Sequence, residues 1–389
     1  MKKFFNLLFL ITVMLLSSPA FSETSEYSFV HIKDEKTGFE IARAIVPENF
    51  EVISNVEWTR DFENPARFSY VAKSNSDDVS FSYLSEKAYV DVLQGKELKN
   101  GEFDSDFRTV NKKKILASDY IKEVILSDYP QASDIALVAE KNMPDGMDEY
   151  LISLMYKKID ELNITAKADT RYAKIDITNP DILPYVATFS YDFNGKKYYQ
   201  TFVTLFTSVE YQYTAKNKKN DVKDKKFWKM KGLYSYRVEQ KNYDKYYNDF
   251  LIFAANSMPN NKAVMALEHV KQEMVIELNP AFVDVNKNSA LKNKPSDLFR
   301  RYFEVGLPDY SYIESMIKPS LTQVRWLTNI MEPQNEFSYR NLRQVWRQSF
   351  YVPKKYEYVY LNKGQNKWVI STEPQTFDIR WKKLKKTKF

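Results

Sequence analysis

The chain contains no cysteine, so disulfide staples, thiolate metal sites and a lipid-bearing cysteine behind the N-terminal apolar run are all excluded. Glycine is scarce, with 8 in 389 residues. None is spaced as G-x-G-x-x-G or G-x-x-x-x-G-K, the loops that cradle phosphates. No Gly-x-Ser-x-Gly elbow exists to raise a nucleophilic serine above a sheet. There are two histidines, His31 and His269. His269 is followed by Val-Lys-Gln-Glu, so the His-x-x-x-His zinc pair is missing. Both read as structural or surface residues. Beyond the N-terminus, the most apolar stretches, such as 203–206 and 250–256, are far shorter than a membrane span.

The N-terminus is different. Met1-Lys2-Lys3 is positive, an apolar run covers Phe4 to Leu16, and the small-x-small step Ala20-Phe21-Ser22 precedes Glu23. That order is the pattern of a secretory signal, expected to be cleaved after Ser22. Its core of about 13 residues falls short of the roughly 20 needed to cross a bilayer. The expected product is exported, periplasmic or extracellular, and soluble.

The formal net charge of +6 drops to +4 when Lys2 and Lys3 leave with the signal. The last nine residues from Trp381 hold five lysines and no acid, so without them the remainder stands at −1. The body therefore reads as nearly neutral, with its basicity in a terminal tail. Such a tail, carrying Trp381, Leu384 and Phe389, is more often a solvated end than a contact surface.

Aromatic residues make up 15% of the chain, a share that favours pleated, half-buried surfaces. Strands are predicted over 27–32 and 39–46, joined by a turn at 36–38, and a hairpin pairs 68–73 with 79–84. Helical spacing over 118–129 places Ile121, Val124, Ile125 and Tyr129 on one face, with Ser118 or Asp119 as cap. A strand at 135–139 and a helix over 145–162 complete this block. Next, Asn194-Gly195 joins 186–193 to 196–207 in the strongest hairpin signal of the chain. A loop at 216–226, a strand at 227–238 and helices at 243–256 and 262–275 follow. The polar stretch 284–296 reads as a linker, with Ser296 capping a helix that ends at Gly306. Another helix covers 320–331, followed by strands at 337–350, 356–361 and 367–371.

Asp34-x-x-Thr37-Gly38-Phe39-x-Ile41, Val46-Pro47 and Pro47-Glu48-Asn49-Phe50 resemble the opening of PsbP/Mog1-like α-β-α sandwich domains, with Phe50 where such domains often carry Gly-Trp. The tail Tyr356-x-Tyr358-x-Tyr360-x-Asn362-x-Gly364, with Trp368 and Phe377-Asp378, is similar to the ends of uncharacterised secreted bacterial proteins. Together these stretches cover under half of the chain. The resemblance implies a sandwich fold and a binding or assembly role, and it carries over no catalytic residue.

Three candidate sites follow from the residues. Tyr356, Tyr358 and Tyr360 at strand period, with Trp368, offer a ring platform for sugars or a partner strand, although such rings are more often cross-strand packing pairs. Lys382, Lys383, Lys385, Lys386 and Lys388 offer contact to an anionic envelope polymer or lipid. Asp284-x-Asn286-x-Asn288 begins like a calcium loop, but Ser289 and Pro295 replace its glycine and its bidentate glutamate.

The sequence thus defines an α+β protein of antiparallel sheets and packed amphipathic helices. Its expected organisation is a signal over 1–22, two similar sandwich-like domains over 23–165 and 166–280, and a helix-then-hairpin region over 281–389. No catalytic residue, cofactor or metal is assigned. The expected function is a non-catalytic binding or assembly protein of the bacterial envelope, partnered by an envelope polymer or another exported protein and not by nucleic acid. The alternative is a glycan-directed hydrolase with paired carboxylates.

Overall fold

Strand pairing sets the architecture of the protein in a computed structural model, which describes residues 24–59, 61, 64–76, 78–94, 98–104, 109–141, 173–215, 222–278, 294–305, 334–339, 348–362 and 364–386. The signal segment, the helices expected at 145–162 and 320–331, the 284–289 stretch and Lys388 lie outside these residues. The chain divides into two units, the larger spanning 30–333 and the smaller joining the N-terminal residues up to Phe29 to the segment from Gln334 onward.

Strand β1 (Thr24–Lys33) begins in the smaller unit and ends in the larger. Asp34 then reverses the chain: its carboxylate accepts from the Thr37 backbone N–H at 3.1 Å and the Thr37 hydroxyl at 2.5 Å, and Gly38 takes a φ of +76°. This Asx-type turn leads into β2 (Glu40–Pro47), which ends at a residue with no N–H to donate. An antiparallel meander follows, made of β3 (Phe50–Trp58), β4 (Ala66–Ser74) and β5 (Val79–Leu84). Then come β6 (Lys87–Gln94), the short pair β7 (Phe103–Asp104) and β8 (Thr109–Val110), helix α1 (Ala117–Asp128) and β9 (Ser133–Lys141). Helix α1 starts behind Leu116 with no side-chain cap, so neither Ser118 nor Asp119 plays the role the sequence offered.

Strands β10 (Ala173–Phe193) and β11 (Lys196–Ala215) meet at Asn194-Gly195, whose φ angles of +51° and +72° are those a two-residue turn demands. The ladder runs from Phe193 opposite Lys196 out to Ala173 opposite Ala215. Strand β12 (Val222–Glu239) pairs with β11 on one side and with both β5 and β6 on the other. The result is one eight-stranded sheet in the order β3-β4-β5-β12-β11-β10-β9, with β6 also on β12. Strands from 23–165 and from 166–280 therefore share a single sheet rather than forming two similar domains.

Alternation along these strands divides the aromatic residues between two faces. One face carries Phe189, Tyr191, Tyr198, Phe202 and Trp228, covered by Tyr120, Ile121 and Ile125 of α1. The other carries Phe81, Val203, Tyr234 and Tyr236, covered by Phe250, Leu251, Phe253 and Ala254 of α2 (Tyr243–Asn256). After β13 (Met258–Pro259), α3 (Asn261–Leu278) and α4 (Pro295–Val305) extend that second core. The larger unit is a helix–sheet–helix sandwich, and the fold class is α+β. Burying each such ring contributes about 2–3 kcal/mol, which is how a chain without disulfides holds its layers. No helix among the described residues is long and apolar enough to cross a membrane.

In the smaller unit, β14 (Gln334–Tyr339) and β15 (Gln348–Pro353) pair with each other. They replace the single strand expected at 337–350. Strands β16 (Tyr358–Asn362) and β17 (Lys367–Ser371) form the expected hairpin, and β17 also pairs with Thr24–Ser28 of β1. The basic end of the chain is strand rather than frayed tail: β18 (Trp381–Lys383) pairs with β16, and β19 (Lys385–Lys386) pairs with β14.

Candidate functional site

The site is built on β16 and β18. Opposite residues of an antiparallel pair share a face, and Tyr360 lies opposite Lys383, Asn362 opposite Trp381, and Leu361 opposite Lys382. Tyr358, Tyr360, Trp381 and Lys383 are therefore on one face, and Leu361, Lys382 and the Leu361 partner Trp368 are on the other.

The second of these faces is the core of the smaller unit. Trp368, 5% exposed, stacks on Phe350 at 4.4 Å between ring centres, and it lies opposite Tyr27 of β1, which is fully buried. Tyr356 is 1% exposed. Tyr356 and Trp368 are thus packing residues, and with Tyr360 at 6% exposure three of the four predicted platform residues are buried.

The first face is covered in part by the 372–380 loop. Tyr360 is itself buried; its hydroxyl accepts from the Gln375 backbone N–H at 2.9 Å, and its ring meets Phe377 edge-on at 4.8 Å. Phe377 in turn stacks on Trp381 at 4.7 Å. Asp378 organises the approach to β18, accepting from the Arg380 backbone N–H at 2.9 Å and from its guanidinium, and its carbonyl accepts from the Trp381 N–H at 3.1 Å. That hydrogen bonding to Arg380 holds the Asp378 carboxyl below the usual carboxylate range. Ile379, at the tip of this turn, is fully exposed. Phe377, Trp381 and Tyr358 are half-buried, and Lys383 sits over the Tyr358 ring at 4.3 Å.

Four of the predicted lysines, Lys382, Lys383, Lys385 and Lys386, are exposed, and among the described residues none of them makes an ion pair. Between them Leu384 is buried, and its N–H donates to the Val359 carbonyl at 2.8 Å, which fixes the strip to the sheet. The structure thus brings Tyr358, Phe377, Trp381 and Lys383 together, with Lys382 on the opposite face of β18 and Lys385 and Lys386 further along on β19. The sequence offers Phe377 only as part of the tail motif and not as a site residue, because no spacing rule connects a loop phenylalanine to the strand that follows it.

The excess of positive charge is wider than the final nine residues. Residues 334–389 hold thirteen Lys and Arg against four Asp and Glu, a net of +9, whereas residues 30–333 stand at −3. Basicity belongs to the whole C-terminal segment.

Elsewhere, three carboxylates of the larger unit, Asp61, Glu86 and Asp104, are engaged with cations. Asp104 pairs with Lys225 at 2.6 Å, and Asp61 meets Arg67 at 3.2 Å and the Thr109 hydroxyl at 3.1 Å. Burial alone would raise the Glu86 carboxyl, but Lys229 and Lys231, at 3.1 and 3.0 Å, outweigh it and hold that group well below the usual glutamate range. His31 pairs with Glu40 at 2.5 Å, and His269 stacks on Tyr302. No group of three His, Asp or Glu among the described residues could hold a metal ion.

No known protein family matches the chain, and no curated protein does. Among solved structures it is similar to the solution structure of cyanobacterial PsbP (CyanoP) from Synechocystis. That likeness has 10% identity, 60% of this chain and 93% of that one covered, and a TM-score of 0.16. It is distant and carries no inference about function.

Proposed function

We propose that this is an exported, non-catalytic binding protein of the bacterial envelope, and that its C-terminal unit holds an anionic, ring-bearing polymer. The observation that carries this reading is the stacked pair Phe377–Trp381 on the same face as Tyr358, with Lys383 over the Tyr358 ring and Lys382, Lys385 and Lys386 exposed and unpaired on the same two short C-terminal strands as Lys383 and Trp381. Aromatic faces take up the apolar face of a sugar ring, and ammonium groups take its carboxylates. Exposed lysines with no acidic neighbour are free to do so at no cost in broken ion pairs. Held on paired strands rather than on a loose tail, they also lose less freedom on binding.

The test is equilibrium binding of the purified protein to polygalacturonate, with neutral dextran as the control. Polygalacturonate is expected to bind saturably and dextran not to bind. Trp381→Ala is expected to weaken the interaction about tenfold, the size of a lost aromatic contact. Equal binding of both polymers, or binding indifferent to Trp381→Ala, would overturn the proposal.

A further inference from the structure

A buried cation ordinarily has a carboxylate beside it. Arg237, in β12 of the larger unit, is 6% exposed and has none among the described residues. Its guanidinium carbon lies 3.7 Å from the ring centre of Tyr198, 4.4 Å from that of Tyr129 and 5.5 Å from that of Phe193. Its Nε donates to the Tyr191 hydroxyl at 2.9 Å. That hydroxyl donates to Gln200 Oε1 at 2.8 Å, Gln200 Nε2 donates to Ser235 Oγ at 3.1 Å, and Ser235 meets Ser82 at 2.7 Å.

This chain of hydrogen bonds does two things. It occupies the Nε edge of the guanidinium, and the rings packed around the group fix its plane. The two terminal amino groups are left with no acceptor among the described residues, yet neither is sealed from solvent. Cation–π contact offsets part of the cost of burying the charge. It leaves four N–H donors, in the rigid fork that suits two oxygens of one anion, unmatched.

We infer that Arg237 is a binding site for an oxyanion group, a carboxylate or a phosphate, gripped by the two terminal nitrogens between aromatic walls. Tyr191 acts as the positioning residue, holding the fork in one orientation. The site is independent of the polymer-binding reading, since it uses no residue of the C-terminal unit.

The experiment is a set of thermal melts at constant ionic strength, with inorganic phosphate or acetate replacing chloride. A bound anion raises the melting temperature saturably, following its occupancy of the folded state. Phosphate and acetate are separate arms, and the one with the larger shift identifies the group. Arg237→Lys keeps the charge but loses the fork, and is expected to weaken the anion at least about tenfold. Tyr191→Phe keeps the guanidinium and loses its orientation, and is expected to weaken the anion by a smaller factor; it serves if the lysine variant does not fold. Replacing Lys382, Lys383, Lys385 and Lys386 by glutamine is expected to leave the shift unchanged. No saturable shift with either anion, or the same shift in wild type and in the folded Arg237 or Tyr191 variant, would overturn the inference.

Discussion

The two units use the same chemistry, aromatic rings beside cations, in opposite ways. In the larger unit Arg237 is enclosed by Tyr129, Tyr198 and Phe193, and the sheet that carries it is covered by helices on both faces. In the smaller unit Lys383 lies over a half-buried Tyr358, and the neighbouring lysines stand in solvent. The charge follows the same division, −3 for residues 30–333 and +9 for residues 334–389. What differs is strand length: β10, β11 and β12 run to 21, 20 and 18 residues, against 5, 5 and 3 for β16, β17 and β18. Eight strands with helices on both sides make an interior that can enclose a tyrosine ring completely. On the short strands β16 and β18 one face is buried around Trp368, and on the other Tyr360 is buried while Tyr358 and Trp381 stay half-buried.

Core truncation breaks this comparison most severely. Phe81 is fully buried and packs against Phe250 and Phe253 of α2, so Phe81→Ala is expected to cost about 3–5 kcal/mol by urea denaturation. A loss below about 1 kcal/mol would mean that the second layer is loosely packed. The hairpin turn comes next. Gly195 has no heavy atom near where a Cβ would stand, but its φ is +72°. Gly195→Ala is therefore expected to cost about 1–2 kcal/mol through backbone conformation alone. Trp381→Ala is expected to cost only about 1 kcal/mol, the loss of its stack on Phe377. In that variant binding suffers more than folding, the reverse of Phe81→Ala.

The smallest effect is one of pH. The folded-state pKa of Glu86 is depressed from its ordinary 4.5 by Lys229 and Lys231. Its contribution to stability is therefore present above that range and is lost as pH falls below it. Glu86→Gln is expected to be less stable than wild type at pH 7, with the gap narrowing below about pH 4.5. A gap that widens on acidification would contradict the assigned ion pairs.

Local chemistry made some of this legible in advance. Asn194-Gly195 announces its hairpin because few other pairs accept two positive φ angles. The periodicity of Tyr246, Phe250, Leu251 and Ala254 gives the bounds of α2 within a residue. Strand β3 is not among the predicted strands: Phe50, Val52, Val56 and Trp58 fall at period two, but Ile53 and Ser54 break the alternation between them. The sharing of one sheet by distant segments was not legible. The hydroxyl contact of Ser82 with Ser235 spans 153 positions, and no local pattern in either strand specifies the other. The same holds for the site. Tyr358 and the lysines are visible as sequence, whereas the burial of Trp368 depends on its stack on Phe350 of β15.

The most direct test of the central claim is the salt dependence of polygalacturonate binding, measured for wild type and for the variant with Lys382, Lys383, Lys385 and Lys386 replaced by glutamine. Wild-type affinity is predicted to fall steeply as salt rises, as expected for exposed charges. The variant is predicted to bind about tenfold or more weakly at low salt and to lose most of that salt dependence. Affinity and salt dependence unchanged in a folded variant would contradict the account.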